Sequence, residues 1–319
     1  MNISCAAREF LAGTEWRGAV IEPVAGDASA RRYWRLARGR HTAILMDASA
    51  VAACLPPYVQ VAGHLRRLGF SAPEVLAVDY ERGCAVVEDF GDMPFARWLE
   101  EGQEEERAYT LATEVLIALH QRADAILPGW RAYDPAQMLA DIELYLDWVA
   151  PALPETVRVE FRQRWMRVLP LAHQVPASLL LRDYHVANLM WLPQRPGIQQ
   201  AGLIDFQDAY QGPVTYDLVS LLEDARRDVP PGLREKMLAR YLAAFRAPNQ
   251  DNFRASLAIL AAQRHTRVLA IFARLAAREG KPEYQRRHAP RVRRLLRQAL
   301  AHPVLAPVAA WFEDYGKLD

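Results

Sequence analysis

Between residues 90 and 95 the hydrophobic rhythm of the chain changes. Upstream, short apolar runs alternate with turn signals. "AVIEPV" (19–24), "RRYWRLAR" and "TAILMDAS" (42–49) read as strands, and Arg38 to His41, with Gly39 as the permissive residue, fit a hairpin between the last two. "PPYVQVAGHLRRLG" (56–69) opens on proline, closes on glycine and repeats Val59, Ala62, Leu65 and Leu68 every three residues, a helix. "EVLAVD" and "CAVVED" form a second hairpin around "YERG". Downstream the period becomes helical: Leu111, Val115 and Leu119 line one face of 104–121, and "DIELYLDWVAPAL" and the long C-terminal segments continue it. Short strands interrupt at 179–181, 189–192 and 202–206. A β-rich lobe over 1–90 followed by a helical lobe over 91–319, an α+β bilobal fold, is the expectation.

With 319 residues, 51% of them hydrophobic, the chain has enough apolar surface for two such lobes. Net charge is +1, which does not suggest a nucleic-acid binder, yet the charge is unevenly placed. Residues 226–319 hold 19 basic and 8 acidic side chains, a net of +11 against −10 for the remainder. An arginine-rich helical surface explains this without a partner. Cys5, Cys54 and Cys84 lack CxxC spacing, so neither a disulfide framework nor a zinc site is indicated. No apolar run reaches the roughly 18–20 residues of a membrane span, and the N-terminus does not read as a secretory signal. A cytoplasmic setting is expected.

The stretch "LLLRDYHVANLMWLP" (179–193) places an acid, an imidazole and an amide between two apolar runs. Asp183 and Asn188 form D-x4-N on a loop between short strands, and seventeen positions later Asp205 ends the apolar "GLI" of "GLIDFQDAY". Phosphoryl transfer needs such a set: one carboxylate to orient an accepting hydroxyl, and a second carboxylate with an amide to hold Mg²⁺ against the nucleotide phosphates. Asx-rich turns that only bond their own loop are the alternative for D-x4-N taken alone.

These segments, together with "VVEDFGD" (86–92), resemble the kinase-like small-molecule phosphotransferases, the group of aminoglycoside and choline/ethanolamine kinases. "GDASARRYWRL", "IDFQDAYQGPVTYDLVSLLEDAR" and "QRHTRVLAIFARLAAREGKPEY" look like one branch, the bacterial cell-wall sugar kinases acting on the anomeric hydroxyl of N-acetylmuramate and N-acetylglucosamine. The resemblance implies a protein-kinase-like fold with a nucleotide-binding N-lobe, and ATP and Mg²⁺ as cofactors. It implies Asp183 as catalytic base, Asn188 and Asp205 as metal ligands, and a hinge at Glu88, Asp89 and Phe90 whose backbone holds adenine. Asp217 would buttress the catalytic loop.

Two features depart from the wider pattern. The third-strand position that holds a lysine in protein kinases is Met46, and the helix 56–69 has no glutamate to pair with one. Both halves of that ion pair are missing together, as the cost of an unpaired buried charge demands. Arg31 and Arg32, after the turn "GDAS" with its Ser29 hydroxyl, are the candidate phosphate contacts. Leu181 stands where many relatives have histidine. For the acceptor, Arg264 falls on the apolar stripe Leu257, Leu260, Val268, Ile271 and Leu275, so its guanidinium needs an anionic or sugar partner or an internal ion pair. His185 can line the same pocket or shape the loop. "DIELYLDWV" also offers Glu143, Tyr145 and Trp148, whose aromatic rings can stack on a sugar face or be core. An amino-sugar acceptor and a nucleotide, a monomer, and neither nucleic acid nor membrane are expected. A kinase of a cationic acceptor (aminoglycoside or choline) and a nucleotide-binding pseudokinase are the alternatives.

Overall fold

A computed structural model describes residues 3–24, 31–245 and 249–318. The chain opens with helix α1 (Cys5–Ala12) and strands β1 (Val20–Pro23), β2 (Arg32–Arg38) and β3 (His41–Asp47). Helix α2 (Leu55–Arg67), strands β4 (Val75–Asp79) and β5 (Cys84–Glu88), and helices α3 (Phe95–Glu100), α4 (Glu105–His120), α5 (Pro135–Trp148) and α6 (Glu155–Val168) follow. Next come β6 (Ala177–Leu180), β7 (Leu189–Trp191), β8 (Ala201–Leu203) and β9 (Tyr210–Pro213). Helices α7 (Thr215–Leu222), α8 (Pro231–Ala244), α9 (Gln250–Arg278), α10 (Pro282–Leu300) and α11 (Ala306–Tyr315) complete it. The fold is α+β, an antiparallel N-terminal sheet followed by a mainly helical C-terminal region.

The chain divides into two compact units. Met1–Val115 joins Val186–Ala209 in one; Leu116–His185 joins Tyr210–Asp319 in the other. Hydrogen bonds join the two segments of the first unit: Leu203 N–H donates to the Ser71 carbonyl (2.7 Å) and Trp191 N–H to that of Met93 (2.7 Å). The later hairpin thereby packs with the N-terminal segment.

In the first unit the sheet order is β1-β2-β3-β5-β4, antiparallel throughout. Arg38 pairs with His41, so Gly39 and Arg40 form a two-residue turn, and Gly39 supplies the positive φ (62°) it needs. Trp34, Leu36, Ala43, Leu45 and Val86 bury one sheet face against Phe10 and Leu11 of α1, which Ser4 caps by accepting from Ala7 N–H at 3.1 Å. Burial of Met46 accounts for an apolar residue where the wider pattern has lysine.

In the second unit β6 pairs with β9. Helix α9 packs against α5, α7 and α10. Tyr145 is fully buried, with Phe161, Trp311 and Phe312 ringed around it, so its place is in the core. Glu143 pairs with Arg162, and Arg278 lies over the Trp148 ring at 4.7 Å. Within α10, Val292, Leu296 and Leu300 turn inward, while Leu295 is only partly covered.

Candidate active site

Strand β8 ends at Leu203, and two residues later Asp205 sits at φ 63°; Arg182, two residues past β6, sits at φ 69°. They are the only non-glycine residues with positive φ among those described. Such backbone is costly for L-residues and concentrates at functional sites.

Within the first unit, Asp205 gathers a polar group. Asn188 Nδ2 lies 3.4 Å from its Oδ2, and Ile204 N–H donates to the Asn188 carbonyl at 3.2 Å. Gln207 Nε2 donates to Oδ1 at 3.2 Å. Arg31 also donates to Oδ1, and its guanidinium is largely buried. Arg32, on the alternate strand face, is exposed and stands opposite Asp47. The structure therefore brings Arg31, not Arg32, to the candidate metal ligands. One carboxylate and one amide, all oxygen donors, suit Mg²⁺, which keeps water and phosphate oxygens for its remaining positions. A dedicated protein cage is not required, and no cluster of three or more His, Cys, Asp or Glu side chains able to hold a metal occurs among the described residues.

The hinge carboxylates are occupied. Asp89 receives Arg35 through two nitrogens, at 2.7 and 3.0 Å, and Arg35 also reaches Asp92 at 2.8 Å. Glu88 pairs with Arg195 and, at 3.4 Å, with Arg66. Phe90 lies under the Arg195 guanidinium at 5.0 Å and against Gly202, where an added Cβ would come within 2.7 Å of its ring. Ser29 lies outside the described residues.

Within the second unit, Asp217 organises the loop that carries Asp183. Its carboxylate accepts from Leu181 N–H at 2.6 Å and Arg182 N–H at 2.9 Å. This is the buttress that the resemblance implied. Burial, and to a lesser extent Asp183, push the Asp217 carboxyl up to about 7 against these two bonds. Asp183 moves the other way. Burial would raise its carboxyl, but Arg267, His185, Arg264 and Arg182 outweigh it and hold the group below the usual carboxylate range. Arg182 pairs with Asp141 at 2.7 Å, and Arg267 approaches the same oxygen at 3.5 Å. Tyr133 supports Asp141 with a hydrogen bond of 2.8 Å.

Asp183, His185 and Arg264 fall together in this unit. Burial pushes the His185 imidazole down, toward its neutral form, with Asp224 opposing. Arg267 and Asp141 were not anticipated. The signal for Arg267 was available, since it follows Arg264 by three on one helix. That for Asp141 was not, because the arginines it pairs with come from distant segments.

Residues 20–254 match the phosphotransferase enzyme family. A relative from Caulobacter vibrioides, the N-acetylmuramate/N-acetylglucosamine kinase, is 34% identical over 96% of this chain and 94% of its own length. Among solved structures, a choline/ethanolamine kinase family protein from Mesorhizobium loti shares the fold with a TM-score of 0.65 at 16% identity, over 96% of this chain and 97% of that one. A GDP and kanamycin complex of an APH(2″) enzyme superposes with a TM-score of 0.64 at 16% identity, covering 92% of this chain and 97% of the other.

Proposed function

Because the chain belongs to the phosphotransferase enzyme family, we propose that it is an ATP-dependent kinase that places the γ-phosphate on the C1 hydroxyl of N-acetylmuramate or N-acetylglucosamine, in recycling of cell-wall sugars. The observation that carries this reading is the full-length similarity to a kinase of those two sugars. The charge around Asp183 supports it. Arg182, Arg264 and Arg267 act on that carboxylate, and a cationic acceptor such as choline or an aminoglycoside would meet them with like charge.

In this reading Asp183, ionised at neutral pH, accepts the proton of the C1 hydroxyl as the new O1–phosphorus bond forms. The bond from the γ-phosphorus to the β–γ bridging oxygen breaks, and ADP leaves. A hemiacetal hydroxyl is more acidic than an ordinary alcohol, so one carboxylate suffices to steer the proton. Asn188 and Asp205 are the residues to hold Mg²⁺, which offsets phosphate charge when bound. Arg31 supplies the fixed cation that Met46 cannot. Ser29 is proposed as a further phosphate contact. The backbone of Glu88, Asp89 and Phe90 holds adenine, since the two carboxylates are spent on arginines. His185 and Arg264 face the sugar. Residues 1–90 serve the nucleotide and 91–319 the catalysis and acceptor. The protein works as a cytoplasmic monomer, where ATP is available.

The test is incubation with ATP and Mg²⁺ of both sugars, their 1-O-methyl glycosides, choline and kanamycin, read by ³¹P NMR. The sugars should give a phosphate coupled to the C1 proton, and the methyl glycosides nothing. Equal phosphorylation of the glycosides would remove the anomeric assignment. Turnover of choline or kanamycin alone would replace the acceptor class.

A further inference from the structure

Arg264 is 3% exposed, in the middle of α9, and its Nη1 has no hydrogen-bond partner among the described residues. The acids around it are otherwise engaged. Asp141 is shared by Arg182 and Arg267. Glu223 takes His265 on one oxygen at 2.7 Å and Arg234 on the other. Asp217 is spent on two backbone N–H groups. Asp224 accepts from the Arg226 backbone N–H at 2.8 Å, and the two side chains act on His185 in opposite directions. What remains is three guanidiniums, of Arg182, Arg264 and Arg267, set against two carboxylates, of Asp141 and Asp183. A buried guanidinium with an unmet donor and a surplus positive charge is costly to keep unless a ligand supplies the anion.

The two acceptor sugars differ by one anion. N-acetylmuramate carries a lactyl ether on O3 that ends in a carboxylate; N-acetylglucosamine has a hydroxyl there. C3 is 1,3-related to C1 on the ring. Presenting the C1 hydroxyl to Asp183 therefore brings the lactyl carboxylate close to a second carboxylate, and the repulsion must be offset. Resting on the sugar-kinase reading above, we infer that Arg264 pairs with the lactyl carboxylate and is the residue that lets one site accept the acidic sugar as well as the neutral one. A guanidinium fork matches a carboxylate through two nitrogens, which lysine cannot do.

The same guanidinium could instead serve a phosphate oxygen of ATP, so the test separates the two anions. Wild-type protein, Arg264→Gln and Arg264→Lys are assayed at saturating ATP and Mg²⁺ on N-acetylmuramate, its lactyl amide and N-acetylglucosamine, with KM for ATP measured alongside. Wild type should prefer the acid to the amide by about 10–100-fold in kcat/KM, the usual reach of a charge-assisted pair. Arg264→Gln should lose that preference. Its selectivity for N-acetylmuramate over N-acetylglucosamine should fall at least ~tenfold, through KM for the acidic sugar, with Arg264→Lys between. Equal turnover of acid and amide by wild type would overturn the inference, and this arm needs no variant to fold. So would proportional losses on both sugars, or a rise in KM for ATP, which would assign Arg264 to phosphate. Wild-type protein that phosphorylates neither sugar would remove the functional reading itself, and the inference with it.

Discussion

Asp183 carries its charge because Arg267, Arg264 and Arg182 outweigh its burial, and that makes its neighbours as testable as the carboxylate itself. Asp183→Asn should lower kcat by about 10²–10⁴, the usual contribution of a general base, while calorimetry finds nucleotide affinity near wild type. Asp205→Ala should instead weaken Mg²⁺-nucleotide binding and turnover together, because its carboxylate belongs with Asn188 and Arg31. Similar nucleotide affinity in both variants would count against that division of labour. Arg267 is the first of the groups that hold Asp183 below the usual carboxylate range. The wild-type acid limb of kcat/KM should therefore fall below the usual carboxylate range. Arg267→Gln should move that limb to higher pH, and a pH profile with an unmoved limb would show that the arginine does not set the base.

At the scale of elements, strand β8 is pressed against the hinge. A Cβ on Gly202 would meet Phe90 Cδ2 at 2.7 Å and Leu192 Cδ1 at 2.9 Å. Gly202→Ala should cost about 1–3 kcal/mol by overpacking, seen as a lower Tm, and weaken nucleotide binding by displacing Phe90. Adding Phe90→Leu should restore part of the stability; a double variant no more stable than Gly202→Ala would place the strain elsewhere. The elements around this contact were legible in sequence to different degrees. Strands β2 and β3 announce themselves by alternation and by Gly39, and α2 by proline, period and glycine. Helix α1 is only eight residues long, and β9, with Gly212 and Pro213, carries no alternation. Its pairing with β6 is a tertiary fact, as is the bond between Arg31 and Asp205, 174 positions apart. Asp183, Asn188 and Asp205 stood out because polar groups broke apolar runs. The positive φ of Arg182 and Asp205 left no such trace, since neither is glycine.

Across the whole molecule, two buried groups set opposing pH dependences. Burial pushes the His120 imidazole down to about 3, so its share of stability is held at higher pH and lost as pH falls below its unfolded value of 6.5. Asp217, raised from 3.8 to about 7, contributes most below 3.8 and loses that stability as pH climbs through its folded value. Between pH 4.5 and 6.5 the two slopes, each about 1.4 kcal/mol per pH unit at most, act against each other. Asp217→Asn should be less stable overall, by about 1–3 kcal/mol for a mismatched backbone acceptor. Its stability should also rise more steeply with pH across that window than wild type. Urea unfolding at pH 4.5, 5.5 and 6.5 measures both, and parallel curves would rule out a raised Asp217. The order in which the first unit is assembled has a consequence for synthesis on the ribosome. The carbonyls of Ser71 and Met93 await N–H groups of Leu203 and Trp191. At roughly 5–20 residues per second, those partners emerge several seconds to tens of seconds later. Until then the N-terminal sheet leaves the tunnel with Phe90 uncovered by β8, a waiting period in which a nascent chain halted near residue 115 offers unpaired backbone and an open aromatic to chaperones.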